Sequence, residues 1–555
     1  MARMLRVAAV QYAVGEDVAE NLATALRMID AAASEGAQVV VLPEFANHVS
    51  WYSGREHARA QAQHLDGEFV TALGRRAAEH GIHVMANCTL HRPDGRVAGS
   101  NILFGPDGAV LEVSDKQVLM GSERDHVDPA VERTGVVETA IGRVGLYSCM
   151  DGVIYETPRM HAVEGAELLL NSLNSFALDE ASLHVPVRAV ENKVWVVAAN
   201  KVGPLVPEHS IAAVAEKVGV PVDRLHGAGE SQIVAPDGTV VAVGPRSGEA
   251  VVVADIDLDL AGDKTRPDGT DIIAARRPEL YGPIAEEPRG RTAPAGAEKV
   301  AAVVLTPGPG DDLGALLDEA VARGVDLVVL PELAAHPDAD PQRDPDPALA
   351  PEAIAARLVG TSVRVVTSVV DAAGAHVGLV LGAGGVELVQ PQLHASARHA
   401  GLAEPDGDGI EVLEVPWGRL AVVVGDDALY PETFRLAALG DADVVAVPFT
   451  VAEKHDVDLL LLERAAENRL NLAVASRPHP EHGGGALIPL SGDFTLWGDW
   501  EGEFAGVISC PEPVLADGAI TEATLRPACA TNRFVSRGTD VVDGRPWQLA
   551  AVLTA

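Results

Sequence analysis

A set of landmarks recurs along this 555-residue chain at one constant spacing. Gly142, Asp151, Glu156 and Arg159 are matched by Gly418, Asp427, Glu432 and Arg435, each 276 positions later. The segment Arg188-Ala189-Val190-Glu191-Asn192 returns as Arg464-Ala465-Ala466-Glu467-Asn468 at the same spacing. An Ala/Val-rich chain produces scattered matches by chance, but not one offset held through glycines and charged residues. The chain therefore reads as two copies of one fold, which suits its length, since a single core rarely grows beyond roughly 250–300 residues. The expected division is residues 1–290, a linker at 291–298 in Arg291-Thr292-Ala293-Pro294-Ala295-Gly296-Ala297-Glu298, and residues 299–555. One difference between the copies stands out. Cys149 in the first copy corresponds to Gly425 in the second, so thiol chemistry is open to only one of them.

Composition narrows the class of function. The chain carries 80 acidic against 42 basic residues, a formal charge of −38, which leaves no cationic excess to neutralise phosphates and argues against a nucleic-acid partner. The four cysteines, Cys88, Cys149, Cys510 and Cys529, are too few for a disulfide scaffold and show no metal-type spacing. Neither a secretory apolar region after Met1 nor an apolar run long enough to span a bilayer is present, so a soluble cytoplasmic protein without a membrane partner is expected. His126 and His161 lack a ligand constellation, and no glycine-rich phosphate loop follows a strand. No metal or organic cofactor is expected.

The local pattern is α/β. Arg6 to Gln11, Gln38 to Leu42, His83 to Ala86, Val144 to Ser148, Leu168 to Leu170, Val194 to Ala198 and Val251 to Ala254 read as strands. Several are apolar on both faces, as in sheets covered by helices. Asn21–Ala33 and Phe69–Ala78 carry apolar residues at helical spacing. Gly105-Pro106-Asp107-Gly108 is a hairpin turn between Ile102-Leu103-Phe104 and Ala109-Val110-Leu111. Helices outside sheets are expected, not a purely parallel doubly wound domain. The Asp/Pro-rich stretch from Pro337 to Pro351, and Pro478 to Gly485, read as loops.

Three residues carry candidate chemistry. Cys149 ends a strand-like run just before Met150-Asp151-Gly152, where a tight turn would present the sulfur above a sheet edge. A thiol with an ordinary pKa of about 8.5 needs a base or a nearby cation to act as a nucleophile. Glu44 closes an apolar strand directly after Pro43, a setting that raises a carboxyl pKa and suits proton shuttling. Lys116 follows the hairpin, and its charge could favour the thiolate and steady an anion formed from an attacked carbonyl.

Glu44, Lys116 and Cys149, in that order, resemble the Glu-Lys-Cys triad of the nitrilase, or carbon-nitrogen hydrolase, superfamily. Leu42-Pro43-Glu44-Phe45, Ser100-Asn101-Ile102-Leu103-Phe104, Gly165-Ala166-Glu167, Asn200, and Ser231 with Asp237-Gly238 resemble it as well. The likeness spans roughly residues 4 to 265 and returns, weakened, from about 298 to 555. It implies an αββα sandwich of the nitrilase type, duplicated in one chain, with the fused copy in the position of a dimer partner and further homo-oligomerisation open. It implies Glu44 as base, Cys149 as nucleophile, and Lys116 with the Met150 backbone N–H around the oxyanion. Glu123 matches the family's second glutamate, although Gly121-Ser122-Glu123-Arg124-Asp125 departs from the usual pattern. Asp115 and Val118 replace the usual aromatic residue and histidine around the lysine. Asp151 after the nucleophile resembles the amidase and carbamoylase branches. Asn174, Ser175 and Phe176 lie where substrate loops would gather, and His184 reads as structural.

The expected reaction is hydrolysis of a small linear carboxamide to carboxylate and ammonia through a Cys149 thioester. N-carbamoyl amine or amino-acid hydrolysis, nitrile hydrolysis, thioester-dependent acyl transfer and a non-catalytic scaffolding role are the alternatives. In the second copy Glu332 persists, but Gln392 stands at the position of Lys116 and Gly425 at that of Cys149, so this half is expected to be silent. The repeated Arg188, Glu191 and Asn192 are expected to hold the fold through buried ion pairs, since the copy without cysteine keeps them.

Overall fold

A computed structural model describes residues 2–509 and 511–555; Met1 and Cys510 lie outside the described residues. Two six-stranded sheets form from the first half. One runs in the order Ala250–Asp257, Met4–Gln11, Val39–Val41, His83–His91, Val97–Phe104, Val110–Asp115. The other runs Val240–Val243, Gln232–Val234, Trp195–Ala199, Leu168–Ser172, Gly142–Ser148, Val137–Thr139. Their inner faces meet through Val7, Ala9, Val39, Val41, Leu146, Leu168, Leu170 and Val197. The outer face of the first sheet is covered by helices Val18–Ser34 and Glu68–His80, which contribute Met28, Ile29, Leu73 and Ala77. Central strands are therefore buried on both sides, which is why Val39–Val41 and Leu168–Leu170 read as unbroken apolar runs. Asp17 starts the first helix by accepting the N–H groups of Ala19 and Glu20.

The second half repeats this arrangement. One sheet is ordered Gly385–Pro391, His376–Gly382, Arg364–Val370, Leu327–Val329, Val300–Leu305, Ile520–Leu525. The other is ordered Val412–Val415, Gly418–Val422, Val444–Pro448, Asn471–Ala475, Ala486–Ile488, Val514–Leu515. The duplicated αββα sandwich is thus borne out. Residues 291–298 are not free chain: Arg291 pairs with Asp443 at 2.6 Å, and Ala297 N–H donates to Trp417 O at 2.9 Å. No helix among the described residues is long and apolar enough to cross a membrane.

The two halves meet through Glu156–Val163 and Val185–Val190 on one side and Pro431–Leu439 and Leu462–Asn468 on the other. The repeated charges cross this boundary reciprocally. Arg159 Nε donates to Glu432 Oε1 at 2.9 Å, and Arg435 Nε donates to Glu156 Oε1 at 2.8 Å. Arg188 pairs with Glu467 at 2.6 Å, and Arg464 with Glu191. Burial alone would raise the Glu432 pKa, but Arg159 and Arg276 pull it down to about 2. His184, expected to be structural, pairs with Glu463 at 3.0 Å across the same boundary. One apolar cluster joins Val118, Met150, Val153, Ile154 and Ala177 to Tyr430, Phe434, Val457 and Val541.

Each half also sends its last segment over the other, a feature outside the 276-residue repeat. Thr270 Oγ1 accepts Ala397 N–H at 2.7 Å, and the Tyr281 hydroxyl lies 2.6 Å from His394 Nε2. Conversely, Thr539 Oγ1 accepts Gly121 N–H and donates to Leu119 O, both at 2.9 Å. The similar runs Gly269-Thr270-Asp271-Ile272 and Gly538-Thr539-Asp540-Val541 make these reciprocal contacts.

Removing one member of a buried ion pair leaves its partner uncompensated, at a cost of about 3–5 kcal/mol. Glu156→Ala, which strips Arg435 of its carboxylate, is expected to destabilise the chain by about that amount in urea unfolding. A surface substitution such as Glu414→Ala should change stability by less than about 0.5 kcal/mol.

Candidate active site

Three chain segments converge at one end of the first sandwich. Glu44 follows the strand Val39–Val41 and is wholly buried, its N–H donating to Leu173 O at 3.1 Å. Lys116 follows the strand Val110–Asp115 and is also wholly buried. Cys149 lies between the strand Gly142–Ser148 and the short helix Met150–Val153, with φ +46° and ψ −108°. A non-glycine residue held at positive φ is strained, and such strain persists where the surroundings impose it. Cys149 N–H is held by Ser172 O at 3.0 Å and Asn171 Oδ1 at 3.1 Å. Met150 is the first residue of the helix, where backbone N–H groups have no partner within it.

Lys116 Nζ lies 2.9 Å from both Glu44 Oε1 and Glu123 Oε1. Glu123 is itself oriented by Met120 N–H, 2.8 Å from its Oε2. Two carboxylates around one buried ammonium outweigh its desolvation and raise its pKa, so Lys116 remains a cation. Burial raises Glu44, Lys116 opposes it, and the carboxyl settles at about 7. Burial and the Glu44 charge push the Cys149 thiol well above its ordinary value, with Lys116 only partly offsetting them. The resting sulfur is therefore protonated and needs a base, and Glu44 titrates where a base at neutral pH should.

Asp151 has a role its position in sequence did not reveal. Its carboxylate accepts Gln117 N–H at 3.0 Å and Val118 N–H at 2.7 Å, and also Ser148 N–H at 3.3 Å. It ties the segment carrying Lys116 to the turn carrying Cys149. Beneath the site, Asn87, Asn101, Ser148 and Ser172 form a buried hydrogen-bonded link between the two sheets.

The structure distributes the remaining candidates unevenly. Asn174 Nδ2 donates to Ser50 Oγ at 2.7 Å while its Oδ1 has no partner. Ser175 is buried, its hydroxyl accepting Ala177 N–H at 3.2 Å. Phe176 packs on Trp497 and Phe504 from the second half, with ring centroids 5.3 and 5.8 Å away. Two charged groups near the thiol went unnoticed in the sequence. Lys201 Nζ is buried without a hydrogen-bond partner and is lowered by desolvation to about 7. The Glu180 carboxyl is buried and raised by that burial to about 7, with His184 and Ser175 opposing the shift. Both carry signs only in retrospect: a lysine directly after Asn200, and an acid in the turn after Phe176.

In the second half, Gly425 keeps the turn of Cys149 with φ +53°, but a Cβ there would lie 2.0 Å from Glu332 Oε1. The carboxylate occupies the space of the missing side chain. Glu332 is paired with Arg398 at 2.6 Å, and no nucleophile stands at position 425.

Residues 6–266 match the model of the carbon-nitrogen hydrolase family. The chain is 30% identical over 263 residues to a nitrilase of Pyrococcus abyssi, an alignment covering 47% of this chain and 93% of the relative. It is 29% identical over 289 residues to the omega-amidase NIT2 of Danio rerio, covering 50% and 96%. With an N-carbamoylputrescine amidase of Solanum tuberosum it shares 26% over 300 residues, covering 50% and 94%.

Alkylation of Cys149 by iodoacetamide should report the proton transfer directly. Below pH about 7 Glu44 holds its proton and cannot accept another, so the rate should be low and rise through an inflection near 7. Glu44→Gln should abolish that inflection, with Cys149 labelling followed by peptide mass.

Proposed function

The chain belongs to the carbon-nitrogen hydrolase family, and from that membership we propose that its first half hydrolyses a small linear carboxamide through a Cys149 thioester. The observation that carries the reading is the buried Glu44–Lys116–Glu123 group beside a cysteine held on a strained turn. Ionised Glu44 takes the Sγ–H proton as the sulfur attacks the amide carbon. Lys116 Nζ and the Met150 N–H hold the resulting oxyanion. Collapse breaks the C–N bond, Glu44 returns the proton to the departing nitrogen, and ammonia leaves a thioester. Glu44 then accepts a proton from water as its oxygen attacks the thioester. Breaking the C–S bond releases the carboxylic acid, and the Glu44 proton regenerates the thiol. Asp151 after the nucleophile favours amides over nitriles. An N-carbamoyl compound is the second reading, and the alignment with the N-carbamoylputrescine amidase supports it.

An ammonia-release screen over ω-amides, carbamoyl compounds and nitriles tests this reading. Cys149→Ala should lower turnover by about a thousandfold or more. The intact chain quenched during turnover should carry the acyl mass on Cys149. Full activity in Cys149→Ala would end the proposal.

The second half braces this pocket in the place of a dimer partner. Its residue Thr539 grips Leu119 and Gly121, the loop that orients Glu123 against Lys116. A Cβ at Gly121 would lie 2.7 Å from Ser536 Oγ, so the two segments are closely fitted. Thr539→Val, which keeps the shape and removes both hydrogen bonds, should lower kcat by roughly ten- to a hundredfold while changing KM little. Thr539→Ser should recover most of the loss. A kcat unchanged in Thr539→Val would show that the second half has no part in the chemistry.

A further inference from the structure

The silent pocket of the second half is not an empty copy of the first. At the 276-residue spacing, Gln392 replaces Lys116 and His399 replaces Glu123, while His376 stands in the place of Gly99: its C=O accepts Gln392 N–H as Gly99 O accepts Lys116 N–H. These substitutions bring two imidazoles onto the retained carboxylate. His399 Nε2 lies 3.3 Å and His376 Nδ1 3.9 Å from Glu332 Oε1, and all three side chains are buried. The three donor atoms fall within 4.8 Å of one another. In a tetrahedral zinc site with metal–ligand bonds of about 2.0–2.1 Å, neighbouring donors stand about 3.3 Å apart.

Three further observations favour a ligand here. Each imidazole is held by a serine through its other nitrogen: His376 Nε2 lies 3.0 Å from Ser368 Oγ, and His399 Nδ1 lies 3.0 Å from Ser396 Oγ. That is how protein structures orient metal-binding histidines. His399 Nε2, more than nine-tenths buried, is aimed at Glu332 Oε1, 3.3 Å away, inside the cluster. Gln392 Oε1 lies 3.0 Å from His376 Nδ1, near enough to serve as a fourth donor, and a cavity of about 70 Å³ beside Gln392 and His399 has room for a water. Arg398 Nη2 donates to Glu332 Oε1 at 2.7 Å and pairs with Asp426 at 2.8 Å, so the two carboxylates and one guanidinium leave a net negative charge facing the imidazoles.

We propose that Glu332, His376 and His399 form a binding site for one divalent transition cation of zinc type. Mixed imidazole and carboxylate donors select such an ion over magnesium or calcium, whose ligands are oxygens. The site is independent of the hydrolytic chemistry in the first half.

The test uses the full chain carrying Cys149→Ala, so that the reactive thiol cannot capture metal. After chelator treatment, zinc should restore one equivalent per chain by elemental analysis and raise Tm as its concentration increases, because the ion binds the folded state. Cobalt(II) should give the intense visible bands of a tetrahedral site. Adding His376→Ala and His399→Ala should remove the tight equivalent, the Tm shift and the cobalt bands. If that variant fails to fold by circular dichroism, the single Glu332→Gln variant and the cobalt spectrum of the parent chain decide. Absence of a tight equivalent in the parent, or the weak bands of octahedral cobalt, would overturn the proposal. So would binding unchanged in the folded variants, which would locate the metal elsewhere, for instance at the stacked His479 and His482.

Discussion

The reciprocal buried ion pairs between Glu156 and Arg435, and between Arg159 and Glu432, are the constraint on which the rest of the structure depends. A guanidinium removed from water must find a carboxylate, and here each finds it on the opposite copy. Deleting either member of such a pair leaves the other buried and unmatched. Arg188 and Arg464 extend the same logic to Glu463, Glu467 and Glu191, so the boundary is polar at its centre. Apolar packing around Phe434, Met150 and Val541 surrounds it.

That constraint explains how one copy could lose its nucleophile without being lost itself. The pairs that join the copies are made by side chains of Glu156–Val163 and Pro431–Leu439, so neither Cys149 nor Gly425 takes part in them. In the second pocket Glu332 occupies the space of the side chain that Gly425 lacks, with Arg398, His376 and His399 around it. The first pocket meanwhile touches groups of the second half. Thr539 fastens the loop behind Glu123, and Phe176 rests on Trp497 and Phe504.

Inside the first pocket, opposing electrostatic effects divide the work among like residues. Glu44 and Glu123 both touch Lys116, yet only Glu44 is wholly buried, and its pKa is raised into the working range. Asp151 shows how position alone can mislead. Its place after the nucleophile suggested a signature of reaction class, while its carboxylate also ties together the backbones that carry the lysine and the cysteine.

The sequence by itself determined the duplication and a mixed α/β pattern, because periodic apolar runs and spaced charges are local and repeat visibly along the chain; the sandwich class and the roles of Glu44, Lys116 and Cys149 were what the resemblance to the carbon-nitrogen hydrolase superfamily implied. The role of Arg188 and Glu191 in holding the fold was legible for the same reason: residues kept in a copy without a nucleophile cannot be kept for catalysis. Only the tertiary structure decided which partners those charges take, that the arms around Thr270 and Thr539 cross between halves, and that Lys201 and Glu180 are buried near the thiol. Pairing and desolvation depend on which distant segments meet, and no spacing along a single chain encodes that distance.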